Sequence, residues 1–396
     1  MTSPNTSGPR IVAPDVARGL ALLGIAWANV STGWNTSVDM PAIAYGGVVD
    51  GSVVDKIFVV LSAMFAHVRG LPMFTTLLGF GIGLITMSQW RKGSSYETAR
   101  SMLWRRYGWL AAFGAVHCIF FFYGDIMLVY GLLALVLIAM LKLKNKTLLV
   151  IAAILYAVNI LWWGVLALLS LKFDGMNEIL SMEMTSSQTY LGYLGTGLAT
   201  ALLSPFTAFS AMWSLLPLMI LGFVAARLGV HRDVAKYAKT LRLLVALTIA
   251  VILLVGLPLG LGAIGVMPQA VGLFEGFNQA FGYLTGPGIA AGVLLACQGL
   301  QQRAEDGATF SWPLRAVIAL GKRSMSGYLA QSVLFLTLTQ SFTLNLLHEQ
   351  GAAMKFCFAA AVWVVTLVCA ALLEAAGKPG PFEKLHRRLS YGRIAA

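Results

Sequence analysis

Apolar residues in this chain come in long blocks divided by short polar breaks, and the blocks have the length of a bilayer crossing. About 20 apolar helical residues cover the roughly 30 Å of a hydrocarbon layer. Windows of that kind lie at about 14–34, 71–90, 103–122, 126–142, 146–171, 205–227, 240–260, 279–301, 316–340 and 354–376. The pattern predicts an all-α polytopic membrane protein, a bundle of about ten transmembrane helices. Two stretches resist the scheme. Residues 53–68, VVDKIFVVLSAMFAHV, are apolar enough for an eleventh span. A crossing there would put the basic loop at 91–106 on the opposite side from the other basic loops. They are therefore expected as an interfacial helix on the outer leaflet, joined through Arg69, Gly70 and Pro72 to the next span. Residues 188–204, with Tyr190, Tyr193 and three glycines, are expected as a second interfacial piece.

Composition agrees with the pattern. Of 396 residues 58% are hydrophobic and only 11% charged, with a mean hydropathy of +0.78, far outside the soluble globular range. The first apolar block follows Arg10, contains Asp15 and Arg18, and has no small-residue cleavage site, so it is expected to stay as a helix. Residues 1–396 read as a single integral membrane domain with a loose tail over 1–12 and a basic tail over 377–396. The cysteines Cys118, Cys297, Cys357 and Cys369 fall inside spans, so no disulfide is expected.

A net charge of +12 raises the question of nucleic acid, but the distribution of Lys and Arg removes it. With the N-terminus in the cytoplasm and an even number of crossings, 24 of the 28 Lys and Arg fall on the cytoplasmic side. Lys56, Arg69, Lys172 and Lys355 are left outside. This asymmetry is what orients a membrane protein, and anionic lipid is reason enough for the basic loops. Both termini are expected inside. The outer connections, about 35–70 and 172–204, carry Asp39, Asp50, Asp174, Glu178 and Glu183.

The candidate chemistry begins with HCIFFFYGDIMLVYG, residues 117–131. His117 falls in the outer third of the third span, and Asp125 opens the fourth. An ionisable residue at membrane depth costs a few kcal/mol unless it is paired or faces a cavity. A carboxylate can fix the tautomer of the imidazole, whose free nitrogen then acts as a general base. Asp125 also suits a helix N-cap, and a structural hydrogen bond near the headgroups would explain the pair equally. Asp15 and Arg18, three apart, read as an ion pair on one face, with Gly19 and Gly24 allowing another helix close. Asn29, deeper on that span, needs a partner, and His117 or a substrate both qualify. Gly79, Gly81 and Gly83 read as a helix-contact surface, since no strand precedes them and no Lys-Ser/Thr follows. In GKRSMSGYLAQSVL, Ser324, Tyr328 and Ser332 recur every four residues with Gln331 beside them, a polar stripe that should face the interior or a cavity. Lys322 and Arg323 at its start suit either the phosphates of an acyl carrier or lipid headgroups. Gly286, Pro287 and Gly288 should break the eighth span around a cavity. The sequence has no HExxH, GxSxG, P-loop or Cys/His metal spacing, so no metal is expected.

Five stretches resemble, in order, the bacterial YeiB-like family known as domain of unknown function 418. They are DVARGLALLGIAWANV, LPMFTTLLGFGIGL, RRYGWLAAFGAVHCIFFFYGDIMLVYGLL, LGKRSMSGYLAQSVL and GPFEKLHRRLSYG, spread over residues 15–392. That family is in turn similar to the transmembrane acyltransferases, which include the lysosomal enzyme that N-acetylates heparan glucosamine. The resemblance implies a ten-helix protein of the bacterial cytoplasmic membrane that moves an acyl group from cytoplasmic acyl-CoA to an extracytoplasmic acceptor. It places the family's polar residues at Asp15, Arg18, Asn29, His117, Asp125, Tyr328 and Gln331. The family's usual Leu-Phe and Phe-Gly are here Met73-Phe74 and Gly79-Phe80, and residues 172–204 match no part of it.

These readings combine into one expectation. His117, oriented by Asp125, deprotonates the hydroxyl or amine of a cell-envelope sugar or glycolipid. Acyl-CoA enters at a mouth formed by Asp15, Arg18, Lys322 and Arg323, and Asn29, Tyr328, Gln331, Ser324 or Ser332 line the substrate or oxyanion. The rival is a transporter or flippase of a lipid or small molecule using the same polar lining, although no inverted repeat is visible. The oligomeric state stays open.

Overall fold

The computed structural model describes residues 11–34, 45–172 and 187–391, and their regular secondary structure is all helical, without a strand. Arg10, Asp39, Asp174, Glu178 and Glu183, and residues 1–10 of the tail expected over 1–12, lie outside the described residues, while Val12 already belongs to the first helix.

All ten apolar windows are helical. Helix α1 spans Val12–Ser31, α2 Val53–Phe65, α3 Gly70–Arg91, α4 Tyr96–Phe120, α5 Met127–Ala139 and α6 Asn145–Leu169. Helix α7 spans Tyr190–Arg227, α8 Val234–Val251, α9 Leu257–Ala263, α10 Val271–Phe281, α11 Thr285–Ala296 and α12 Gln298–Glu305. Then come α13 Trp312–Lys322, α14 Ser324–Thr339, α15 Ala352–Ala375 and α16 Pro381–Tyr391.

Among the described residues, five rods are long and apolar enough to cross a bilayer unaided: Val53–Arg91, Asn145–Leu169, Tyr190–Arg227, Val234–Ala263 and Ala352–Ala375. A sixth results if Pro268–Ala296 is taken together with Gln298–Glu305, which leaves it at 47°. The remaining expected spans are α1, α4, α5 and the pair α13–α14. They are shorter or carry more charge, and they are the helices on which the candidate residues sit.

Much of the apolar surface faces outward. On α6 and α7 the exposed residues include Ile154, Leu161, Trp162, Leu202 and Phe206. A continuous apolar surface of this size suits lipid, where it costs nothing to leave uncovered. Inside, Leu22, Ile82, Leu133, Leu137, Met219, Phe223 and Leu320 form the main core, with α7 at its centre against α3, α5 and α6.

Glycines set the closest approach. A methyl on Gly79 would run into the Met219 carbonyl, and one on Gly222 into the Thr76 carbonyl, so α3 and α7 touch backbone to backbone. Gly83 meets Phe223 and Ala226 in the same way, as the sequence pattern implies, and Gly19 meets Val317. Gly24 has open space and serves no such contact.

Three expectations change. Helix α2 does not lie across its neighbour: with α3 it forms a single apolar rod of 39 residues. Its helices of 13 and 22 residues are about 20 and 33 Å long at 1.5 Å per residue, joined by the turn at 66–69, so α3 alone has the length of a crossing and α2 projects beyond its end. Its inner face, Asp55, Val59, Ser62 and Ala63, packs on α9 and the start of α15. The joint is held by Arg69, 2% exposed, which donates to the carbonyls of Met64 at 3.0 Å and Val68 at 2.9 Å and so caps the end of α2. Residues 190–204 form the first turns of the 38-residue α7, not a separate interfacial piece. Tyr193 donates to the Phe121 carbonyl at 2.9 Å and Gly197 packs on the Cys118 and Ile119 carbonyls, which carries the helix past the end of α4. The break expected at Gly286 to Gly288 lies earlier, in the tight turn Gly282–Leu284. Gly286 and Gly288 sit inside α11 because methyls there would strike Pro72 and Thr248, so they are contact residues.

The basic C-terminal segment ends in α16, which packs on α4. His386 Nε2 donates to the Arg106 carbonyl at 2.7 Å and Arg105 reaches the Leu389 carbonyl at 3.2 Å. Burial, together with the charge of Arg106, pushes His386 down to about 4 from its usual 6.5. The undocked helix therefore takes up a proton that the docked helix refuses. Docking is at full strength above about pH 6.5 and weakens as pH falls toward about 4. Hydrogen exchange over residues 381–391, corrected for its intrinsic pH dependence, should rise between about pH 7 and about pH 5. His386→Gln, which keeps an N–H donor but does not titrate, should flatten that rise.

Candidate functional site

The first polar centre is built where α4 turns back into α5. The His117 carbonyl accepts from both Phe121 and Phe122 at 2.9 Å, closing α4. The chain reverses over 121–126, and Asp125 Oδ2 accepts the Leu128 N–H at 2.7 Å, the cap that sequence suggested. Its other oxygen, Oδ1, lies 2.7 Å from His117 Nδ1. Capping and tautomer control are done by the two oxygens of one carboxylate. Close approach of α4 and α5 makes this possible: side chains at Gly114 or Gly131 would collide with Leu128 or Ala111.

Both partners are buried, their side chains 2% and 0% exposed. With Nδ1 committed to Asp125, the lone pair of the neutral ring is left on Nε2. Nε2 is buried and has no hydrogen-bond partner. The ring of Tyr328, from α14, stands 5.1 Å from that of His117, and its hydroxyl is likewise buried with no partner of normal geometry. Phe121 and Phe122 flank the imidazole at 6.0 and 6.5 Å. Orphaned buried polar atoms cost about 1–3 kcal/mol each, and native proteins rarely place two on neighbouring rings without a use for them.

Of the predicted stripe on α14, Tyr328, Gln331 and Ser332 are buried and Ser324 half-buried. Only Tyr328 meets His117. Gln331 donates to Thr366 of α15 at 3.5 Å, and the Ser332 hydroxyl to its own helix at the Tyr328 carbonyl. Asn29 is half-buried and its carbonyl closes α1 by accepting from Thr32 and Trp34, but no hydrogen bond joins it to His117.

The second centre is a cavity of about 1380 Å³ at the basic end of the bundle, lined among others by Asp15, Arg18, Arg91, Lys92, His231 and Arg232. Arg18 lies 3.6 Å from Asp15. The N-terminal turns of α1 and α8 open on the cavity, adding partial positive charge to four cationic side chains, which outnumber the carboxylates of Asp15, Asp233 and Glu305 there by one. His231 is driven down to about 4 by burial and by Arg232 and Arg91, so it stays neutral there. Lys322 and Arg323 take no part in this lining. Each meets Glu374 at 2.6 Å, and Arg323 also donates to the Lys378 carbonyl. Arg91, Lys92 and Arg232 take their place beside Arg18, brought from places far apart in the chain.

Sequence reasoning missed a third cluster. At the end opposite the cavity, Glu275 of α10 accepts from Tyr45 at 2.5 Å and Gln279 at 2.9 Å and stands 3.4 Å from His67. Next to it Arg69 donates to Asn278 at 2.9 Å. The available signal was a lone acid in an apolar 11-residue helix. Among the described residues no group of three or more His, Cys, Asp or Glu is arranged to hold a metal ion.

Residues 225–393 match the family model described as protein of unknown function DUF418. A protein of Escherichia coli K12 named "Uncharacterized protein YeiB" is 24% identical over an alignment covering 96% of each chain. The chain thus resembles the YeiB-like DUF418 proteins, by the family model over its C-terminal part and by YeiB over nearly its whole length. "Uncharacterized protein YxaH" of Bacillus subtilis 168 is 28% identical over 155 residues, which span 39% of this chain and 38% of YxaH. No solved structure matches. The DUF418 match covers the part of the chain that supplies Tyr328 and the C-terminal segment holding Lys322 and Arg323.

Proposed function

We propose that this protein is a membrane-bound acyltransferase, with acyl-CoA as donor at the basic end and a hydroxyl or amine of the cell envelope as acceptor. The observation that carries the reading is the buried His117–Asp125 pair, whose second imidazole nitrogen is unpartnered and whose ring stands 5.1 Å from that of Tyr328. In this reading the His117 nitrogen removes the acceptor proton as the acceptor oxygen or nitrogen bonds to the thioester carbonyl carbon. Tyr328 donates a hydrogen bond to the oxyanion. The carbon–sulfur bond then breaks and the imidazolium returns the proton to the departing thiolate. The phosphates of the carrier sit in the cavity among Arg18, Arg91, Lys92 and Arg232, with the basic end in the cytoplasm and both termini there.

Equilibrium binding tests this directly. Purified protein should bind labelled acyl-CoA and release it to excess CoA, with affinity falling as salt rises. Arg91→Glu with Arg232→Glu should weaken binding by about 100-fold, since each removes one charge-assisted contact of about 1.5 kcal/mol and adds a repulsion. Absence of competable binding would reject the acyl-transfer reading and favour transport. The transport reading has its own support in the interrupted helices, a π-turn at Ile252–Gly256 and a tight turn at Gly282–Leu284, beside the Glu275 cluster.

A further inference from the structure

Helix α14 begins without a cap of its own. Its preceding residue, Arg323, makes no side-chain bond to the first turn, and α13 ends only one residue earlier. The orphan N–H groups of Met325 and Ser326 are instead taken by Glu383 Oε1, at 2.9 and 3.1 Å. Glu383 Oε2 accepts from the Ser326 hydroxyl at 2.5 Å, and that hydroxyl accepts the Phe382 N–H at 3.1 Å. Glu383 belongs to α16, more than fifty residues on. A side chain at Gly380 would collide with the Glu383 carboxylate and the Ser326 hydroxyl, so the approach depends on a glycine there. The same segment closes around the α13–α14 joint through Lys322 and Arg323, both on Glu374, and through the Lys378 carbonyl on Arg323.

The first turn of α14 is therefore shaped by a carboxylate from elsewhere in the chain, and Tyr328 is the next residue but one after Ser326. A negative group against a helix N-terminus also offsets the positive end of the helix dipole. We propose that Glu383 is a positioning residue: from the C-terminal helix it caps α14 and sets the Tyr328 ring against His117. The C-terminal helix then belongs to the machinery of the buried pair and is more than a surface anchor. This rests on the proposed function in treating His117 and Tyr328 as a working pair.

The test uses the full chain with Glu383→Ala, Glu383→Gln and Ser326→Ala. The primary readout is the nitrogen NMR signal and titration of His117, which needs no activity. Glu383→Ala should shift the His117 resonances and raise hydrogen exchange over 324–332, while Glu383→Gln, which keeps an acceptor oxygen, should restore most of both. Ser326→Ala removes the two contacts of the hydroxyl, to Glu383 and from the Phe382 N–H, but leaves both backbone N–H bonds to Glu383, and should give the same shifts at smaller size, so a Glu383 variant that does not fold still leaves the question decidable. With acyl transfer measured in parallel, Glu383→Ala should lower turnover by about tenfold, the equivalent of one lost cap, and leave the KM for acyl-CoA unchanged. Unmoved His117 signals in folded variants overturn the positioning role. Moved signals without any acyl transfer in the parent protein uphold it and sink the enzyme reading alone.

Discussion

His117→Gln should reduce acyl transfer by about 10²- to 10⁴-fold with the bundle still folded, the range expected when a general base is removed. Glutamine is the informative replacement because its amide can still donate to Asp125, whereas alanine would leave a carboxylate buried beside a void. Asp125→Asn should be nearly as damaging: its oxygen can still accept from Leu128, but its amide would donate to the ring and push the lone pair away from the acceptor. The double variant should lose little beyond either single one, since the two residues act as a unit. Turnover of labelled acyl-CoA in proteoliposomes, with circular dichroism as the folding control, measures all three. Full activity of His117→Gln would end the assignment of the imidazole. Tyr328→Phe removes only the hydroxyl and should cost about 10- to 100-fold, less than the base itself.

The expected effects are large because the pair is fully buried. At 0% and 2% side-chain exposure, neither Asp125 nor His117 has bulk water to substitute for the missing partner. Sequence reasoning reached the pair because both signals were local. An imidazole and a carboxylate eight residues apart, across a turn, can meet in few ways, and apolar flanks at membrane depth make the meeting obligatory. The stripe on α14 was equally legible as a buried face. Which of its members would meet the imidazole was not, because that depends on a rotation of the helix that no local pattern specifies. The cavity shows the same division. Arg18 was found from its own helix, but Arg91 and Lys92 come from the end of α3 and Arg232 from the turn between α7 and α8. Lys322 and Arg323 looked alike in sequence until Glu374, from a helix fifty residues on, took both. The Glu275 cluster joins parts of the chain some two hundred residues apart and left only one odd acid as a sign. Helical windows depend on composition over 20 residues and so were readable. The relation of α2 to α3 depends on how one buried arginine caps a helix end, and it was not.

Gly79→Ala should destabilise the protein by about 3 kcal/mol or more, a large effect for a single methyl. The reason is what the methyl meets. It would overlap the carbonyl of Met219, a backbone atom inside α7 that cannot rotate away, whereas a long side chain in the same place could move. Relief requires α3 and α7 to separate along a contact that Gly222 keeps as tight and Gly83 also keeps too close for a methyl. In lipid there is no hydrophobic gain to hold them together once that packing is lost. Gly24→Ala supplies the control. It adds the same methyl to a helix interior with nothing within 4 Å, and should be neutral or stabilising by up to about 1 kcal/mol from helix propensity alone. Thermal unfolding of the two variants in the same detergent separates the explanations. If alanine at 79 and at 24 behave alike, the α3–α7 contact is looser than the backbone geometry requires. If only position 79 fails, the small residues of LPMFTTLLGFGIGL are there for contact, and Gly81, beside Arg18 on the cavity side, is the one glycine of the three free to serve the site.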